Sequence, residues 1–374
     1  MCAFNEVKKN FGFGFMRLPM KNDVIDNEEL CKMVDFFMER GFNYFDTAHG
    51  YHNGLSEKAI RECVVERYPR ESFVLVDKLS STYFKTQEEI RPFFEKQLAA
   101  CGVDYFDFYL MHAQDKALFE KYKRCKAYET ALELLAEGKI KHFGLSFHDK
   151  AEVLEEILTE YPQIEVVQIQ FNYVDYDDAS VQSRKVYEVC RKFNKPVIVM
   201  EPVKGGSLVN LPEKAQEIFT SLNNGSNASY AIRFAASFEG VFMVLSGMGN
   251  MAMMSDNLSY MENFTPLNEE ELSAVWRVRD IFNSQKLISC TACKYCMEVC
   301  PKQIPIPNFF ACLNDKRAFN NWNSSYYYSI HSKLGAKASD CIKCGKCEVI
   351  CPQHLNIREL LCEVAGAFEK NDSE

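Results

Sequence analysis

Phe73-Val74-Leu75-Val76-Asp77-Lys78 and Phe108-Tyr109-Leu110-Met111-His112 are two short apolar runs that each end on a polar side chain, with an amphipathic stretch, Gln87–Cys101, between them. Two β-branched or aromatic runs joined by a helical pattern form a strand–helix–strand unit, and such units build parallel sheets. The runs are apolar at consecutive positions, as strands covered on both faces must be. Working outward in both directions, the same alternation recurs. Strands are expected at 11–16, 42–47, 73–79, 105–112, 140–146, 166–172, 196–202 and 241–247. Helices are expected between them at Glu28–Arg40, Ser56–Arg67, Gln87–Cys101, Tyr128–Glu137, Lys150–Glu160, Ala179–Phe193, Ser229–Ser237 and Met251–Tyr260. Eight such units in an α/β chain close most naturally into a (β/α)8 TIM barrel. An open dinucleotide-binding sheet would carry a glycine-rich turn after its first strand, and Gly12-Phe13-Gly14 lacks the third glycine and the helix start.

Local signals agree. Asp26 or Asn27 can cap the first helix, whose inward stripe is Leu30, Met33, Val34 and Phe37, and Ser56 before Glu57 reads as the start of the second. Pro266 and the acidic run from Asn268 to Glu271 open a further helix to about Ser284. The expected division is therefore a barrel over 1–285 and a smaller domain over 286–374.

That smaller domain carries the run Cys290-x2-Cys293-x2-Cys296-x3-Cys300-Pro301, repeated as Cys341-x2-Cys344-x2-Cys347-x3-Cys351-Pro352. Three thiolates within seven residues wrap corners of one iron–sulfur cube, and the fourth, followed by proline, turns toward the neighbouring cube. The expected ligand sets cross over: Cys290, Cys293, Cys296 and Cys351 hold one [4Fe-4S] cluster, and Cys341, Cys344, Cys347 and Cys300 the other. A structural zinc ribbon uses two separated cysteine pairs instead. About forty residues separate the runs, with apolar periodicity over Asn308–Phe319 and the aromatic residues Trp322, Tyr326, Tyr327 and Tyr328, so the domain reads as a mainly helical dicluster ferredoxin-like fold. The other eight cysteines are scattered among apolar stretches and read as buried small hydrophobes. So many free thiols point to a reducing cytoplasm, and clusters to an anaerobe.

Composition sets limits. Hydrophobic residues make up 47% and charged residues 25%, as in a folded globular chain, and no apolar run approaches the ~18 residues of a membrane span. A formal net charge of −9 offers no basic footprint for nucleic acid. Neither membrane nor nucleic-acid partners are expected.

Catalytic groups of a TIM barrel sit at the C-terminal ends of strands. Asp46 ends the second strand, Tyr51 follows on its loop, Lys78 ends the third and His112 the fourth. The tract FDTAHGYHNGLSE together with Lys78 and His112 resembles the aldo-keto reductase family over roughly residues 10–285. The C-terminal cysteine runs and Met200–Gly206 resemble its subgroup with a fused ferredoxin-like domain. That resemblance implies carbonyl or alcohol redox chemistry. In it Tyr51 is the general acid, Lys78 favours its phenolate, Asp46 holds the ammonium and His112 orients the carbonyl of a small-molecule substrate.

The resemblance also implies a nicotinamide nucleotide. Ser146 and Gln168 match the carboxamide-binding residues, Met200 stands where a ring-stacking tyrosine is usual, and Asp256-Asn257 matches the adenine-reading pair. Gly247 and Met253 stand where NADPH-dependent members place the cations that clamp the 2′-phosphate, so NAD(P)H is expected without that clamp. The tract Ser246–Asn250 either makes a turn or approaches a pyrophosphate through backbone N–H groups. Hydride carries two electrons and a cluster passes one, so something must split the pair; a flavin could do so, and no motif marks one. The expected function is an iron–sulfur oxidoreductase, cytoplasmic, with NAD(P)H, a ferredoxin or a flavodoxin as electron partner. The alternative is an electron-transfer or sensory protein whose barrel is a scaffold. In the loops above the barrel, Phe15, Met16, Tyr83 and Phe84 suggest an apolar or aromatic pocket wall.

Overall fold

The computed structural model describes residues 4–178, 181–284, 287–319 and 323–369, and eight parallel strands among them close a barrel. They are β1 (Phe11–Gly14), β2 (Tyr44–Asp46), β3 (Val74–Leu79), β4 (Phe106–Gln114), β5 (Ile140–Phe147), β6 (Val166–Gln170), β7 (Val197–Met200) and β8 (Val241–Ser246). Each pairs with its neighbours in chain order, and β8 returns to β1 with Val244 opposite Phe11. Every expected strand is present, shorter by a residue or two at most ends.

The barrel closes because its strands carry apolar side chains on both faces. Tyr44, Val74, Val76, Phe108, Leu110, Val166, Ile198, Met243 and Leu245 form one buried cluster, joined by Phe4 and Val7. Full burial of such a side chain is worth roughly 1.5–3 kcal/mol over exposure. On the outer face of β1 and β2, Phe13, Phe15 and Phe45 meet Phe37 and Phe42, with ring centroids 4.9 Å apart for Phe13–Phe15 and 5.1 Å for Phe37–Phe42. Phe37 belongs to the helix Asn27–Glu39, which buries the stripe Leu30, Met33, Val34 and Phe37 and is capped by Asp26 accepting from the Glu29 N–H at 3.2 Å.

Three readings change. Ser56 does not cap the second helix, which starts at Leu55 behind left-handed Gly54; its buried hydroxyl instead bonds the Thr47 hydroxyl at 2.7 Å and the Phe15 carbonyl at 3.0 Å, tying β1 to β2. Phe15 and Phe84 are core residues at 0% and 1% exposure rather than a pocket wall, while Tyr83 stays exposed. Helices at Lys116–Arg124 and Glu213–Leu222 were not expected. The first is lysine-rich and buries only Phe119 and Tyr122, too narrow a stripe to stand out, although Asp115 caps it by accepting from the Leu118 N–H at 2.7 Å.

The chain divides into two compact units, Met1–Pro202 with Ala228–Leu267, and Val203–Asn227 with Asn268–Glu374. The second unit gathers the helices Glu213–Leu222 and Glu269–Ser284, linked by the Asn224 amide donating to Glu271 at 2.8 Å. It also holds Ile306–Phe319, Asn323–Leu334 and Ile357–Phe368, around a small core of Phe309, Phe310, Leu313, Tyr328, Leu361 and Val364. The segment between the cysteine runs is thus helical; Trp322, Ala179 and Cys2 lie outside the described residues. No helix among the described residues is long and apolar enough to cross a membrane.

Candidate active site and cluster sites

Strand register brings three distant residues onto one face. Asp46 lies opposite Val76, two residues before Lys78, and Lys78 lies opposite Leu110, two residues before His112. Side chains repeat every two residues along a strand, so Asp46, Lys78 and His112 descend a diagonal on the same side of the sheet. Lys78 Nζ donates to Asp46 Oδ1 and to the Thr47 carbonyl, both at 2.7 Å. Tyr51, in the 3-10 turn Tyr51–Gly54, places its ring 5.0 Å from Nζ and 6.0 Å from the His112 ring, nearly perpendicular to it. All four expected residues therefore converge.

His112 is set by an irregularity. The β4–β5 register slips between Met111 and Gln114, and Ala113 takes φ +55°. A bulge of this kind re-aims side chains and leaves a ladder N–H without its strand partner. Here Ser146 Oγ accepts the Ala113 N–H at 2.7 Å, and Ser80 Oγ bonds His112 Nδ1 at 2.6 Å.

The electrostatics suit proton donation. Burial, then Asp46 and Asp77, push the Tyr51 phenol well above its usual range, with Glu201 adding to this and Arg17 opposing it. The phenol thus keeps its proton, as an acid must, and the net push is opposite to the phenolate-favouring role expected of Lys78. Burial, then the Lys78 and His148 charges, hold His112 well below its usual value, so its imidazole is neutral. Asp46 is raised by burial, against the pull of Lys78.

Of the residues matched to a nucleotide, Ser146 and Gln168 stand directly opposite each other on β5 and β6. Gln168 Oε1 is buried with no hydrogen-bond partner among the described residues, an acceptor into which a carboxamide N–H fits. Met200 ends β7, partly exposed. A Cβ at Gly247 would fall 3.0 Å from Arg17 Cβ, so the Arg17 stem fills the space beside that glycine. Asn250 caps the helix Met251–Met261 by accepting from the Met253 N–H at 2.9 Å. Asn257 is buried and its amide is occupied, donating to Ser246 Oγ at 3.1 Å and accepting from the Tyr260 hydroxyl at 2.5 Å; Asp256 beside it is partly exposed.

Behind Lys78 lies a polar cluster that the sequence reading passed over. Glu57 and Asp77, both at 0% exposure, share a hydrogen bond, which requires a proton between two carboxyls. His49 Nδ1 lies 2.7 Å from Glu57 Oε2, and Gln97 donates to the Lys78 carbonyl at 3.0 Å while accepting from the Tyr109 hydroxyl at 2.6 Å. Burial pushes Glu57 up to about 7 and Asp77 well above its usual value. The available signal was Asp77, an acid inside an otherwise apolar strand.

In the second unit the cysteines form two groups. Cys300, Cys341, Cys344 and Cys347 line one small recess, with Ile304, Ile306 and Leu361 as its apolar wall. The Cys296 thiol is pushed up by burial and then by Cys293, Cys290, Cys351 and Cys347; Cys347 is raised to about 11 by burial, Glu348, Cys341 and Cys300. Cys300 of the earlier run thus lines the recess of the later one, and Cys351 of the later run acts on Cys296 of the earlier. Thiolates that oppose one another's ionisation in half-buried surroundings are a donor set suited to cationic iron. Among the described residues no three His, Cys, Asp or Glu side chains meet as ligands of a single ion do. Gly205, at φ +65°, comes so close to Thr291 that a Cβ would lie 2.6 Å from its carbonyl oxygen; only glycine permits this approach beside Cys290.

Residues 10–280 match the model of the Aldo/keto reductase family, and residues 289–355 match that of a 4Fe-4S dicluster domain. Among curated relatives, an NADH-specific methylglyoxal reductase of Escherichia coli (strain K12) is 25% identical over 210 residues, 51% of this chain and 61% of the relative. Dihydrodiol dehydrogenase 3 of Bos taurus is 28% identical over 153 residues, 36% and 47% respectively. The chain thus spans less than two thirds of these relatives. Among solved structures, an aldo-keto reductase from Klebsiella pneumoniae in complex with NADPH has a TM-score of 0.60 at 18% identity, covering 73% of this chain and 95% of that one. One from Bacillus halodurans has 0.58 at 21%, covering 72% and 92%. At such identities the likeness is one of fold.

Proposed function

The chain belongs to the aldo/keto reductase family and carries a 4Fe-4S dicluster domain, and on that premise we propose that its barrel interconverts a small carbonyl compound and the corresponding alcohol while the second unit exchanges electrons with a one-electron carrier. The observation that carries this reading is the convergence of Tyr51, Lys78, Asp46 and His112 on one face of the barrel, with the phenol kept protonated.

In the reductive direction Tyr51 gives its proton to the carbonyl oxygen. Neutral His112, steadied by Ser80, donates a hydrogen bond that orients that oxygen, and the Lys78 ammonium, anchored by Asp46 and Thr47, favours the phenolate left behind. Ser146 and Gln168 would hold a nicotinamide, which supplies hydride when bound. Gly247 and Met253 offer no charge to a 2′-phosphate, which favours NADH. Cys290, Cys293, Cys296 and Cys351 would hold one cluster and Cys341, Cys344, Cys347 and Cys300 the other, supplying single-electron transfer.

Tyr51→Phe tests the reading. Turnover of small aldehydes with NADH under anaerobic conditions is expected to drop about 10²–10⁴-fold while the iron–sulfur absorption spectrum is unchanged. Undiminished turnover in the variant would remove Tyr51 from the chemistry; a wild-type protein that reduces no carbonyl compound would leave the barrel as a scaffold.

A further inference from the structure

The second cysteine wrap differs from everything around it in what it shows to solvent. Ile342 is 58% exposed and Val349 86%, and both lie in the stretch that also carries Cys341, Cys344 and Cys347. A soluble protein gains nothing from two aliphatic side chains held in water beside a redox site unless something covers them. Three lysines are exposed in the same region: Lys343 and Lys346 on the wrap itself, and Lys302, which lines the recess together with Ile342. None of these three lysines forms an ion pair among the described residues. Arg358 also lines the recess and engages Glu348, the acid of the wrap, at 2.7 Å, while Asp340 accepts from the Lys337 backbone N–H at 2.8 Å. The wrap thus shows two aliphatic and two basic side chains to solvent on a chain whose net charge is −9.

We propose that Ile342 and Val349, with the exposed lysines Lys302, Lys343 and Lys346, form the docking surface for a small acidic one-electron carrier protein, and that electrons enter or leave through the cluster site of Cys300, Cys341, Cys344 and Cys347. This rests on the electron-exchange reading above and adds to it which of the two cysteine groups meets the partner, and by what chemistry. The charge pattern selects the occupant. An acidic carrier is steered to these lysines while the rest of the anionic surface repels it, and transient electron-transfer partners need only a small interface. The apolar pair then closes the contact and excludes water. In the transfer itself one electron leaves the reduced carrier and enters the cluster, with no bond made or broken. Cys344, exposed on the wrap, brings the site to the surface.

The test uses the full-length protein with its clusters, prepared anaerobically, in two variants: Lys343→Glu with Lys346→Glu, and Ile342→Ser with Val349→Ser. The probe is an acidic ferredoxin. Its binding is measured by calorimetry in the oxidised form, and the second-order rate of cluster bleaching is measured by stopped flow after reduction. Expected for the charge-reversed variant are a loss of binding and a rate at least tenfold lower, with the steep salt dependence of the wild type flattened. The serine variant should bind at least threefold more weakly with its salt dependence retained. Reduction by a small viologen radical should proceed at the wild-type rate in both, which shows the clusters intact.

Wild-type binding and bleaching rates in the charge-reversed variant overturn the proposal. So does a concentration-dependent dimer that the same substitutions abolish while carrier rates stay unchanged, since the occupant is then a second copy of the chain. Clusters that no carrier and no viologen radical reduces sink the electron-exchange reading itself, whereas clusters that viologen reduces and the ferredoxin does not overturn the docking surface alone.

Discussion

In the barrel, Lys78 reaches Asp46 across 32 residues of sequence, and His112 reaches Ser80 across another 32. Each cysteine wrap, by contrast, takes three thiols from a single turn of chain. The barrel assembles its site non-locally, so the site exists only when the parallel ladder is in register, and the ladder is stabilised by a large apolar core that needs no ligand. The second unit assembles its sites locally around a small core, and its thiols oppose one another's ionisation. One region organises its chemistry by packing. The other has its chemistry written into the spacing of its cysteines around a smaller core.

Breaking the locally built side should have the largest effect. Cys347→Ala removes a thiol from the recess that Cys300, Cys341 and Cys344 also line. Half of the iron and acid-labile sulfide should be lost, and the second unit should become open to limited proteolysis while the barrel retains its thermal transition. Retention of full iron and sulfide would show that the recess is not a cluster site.

Lys78→Met breaks the barrel side instead. It leaves Asp46 buried without its cation, at an expected cost of about 3–5 kcal/mol read as a lowered barrel transition, with the cluster spectrum unchanged. Adding Asp46→Leu should recover most of that loss; a double variant as unstable as the single would contradict the pairing.

The smallest effect is one of pH. Folding raises Glu57 from 4.5 to about 7, so its contribution to stability is complete below the unfolded value and fades as pH climbs through 7. The barrel transition should therefore fall by a few degrees between pH 5 and 8, beyond any change in the second unit. Glu57→Gln should flatten that slope, because an amide keeps hydrogen bonding and does not titrate. An unchanged slope would place the titrating group elsewhere.

Much of this arrangement was legible beforehand. The strands could be read because a parallel strand buried on both faces is apolar at consecutive positions, and the cysteine spacing because a cube's corners are close enough for one turn of chain. Asp46, Lys78 and His112 were legible as polar residues ending apolar runs, and Tyr51 by its place on the loop after Asp46 in a tract that resembles a known family. The helix Lys116–Arg124 was hidden by its lysines, and Ser56 was misread because a hydroxyl near a helix start looks like a cap whether it bonds forward or back. The Glu57–Asp77 pair was invisible because a shared proton depends on two carboxyls meeting in space.

The sequence by itself determined the barrel, the two cysteine wraps and the identity of the four barrel residues, since all of these follow from periodicity and spacing along the chain. Only the tertiary structure decided that Ser146 takes up the N–H freed by the bulge at Ala113 and that the phenol of Tyr51 holds its proton. Those outcomes depend on register, burial and the summed field of neighbouring charges, which are properties of distances that no local stretch of chain contains.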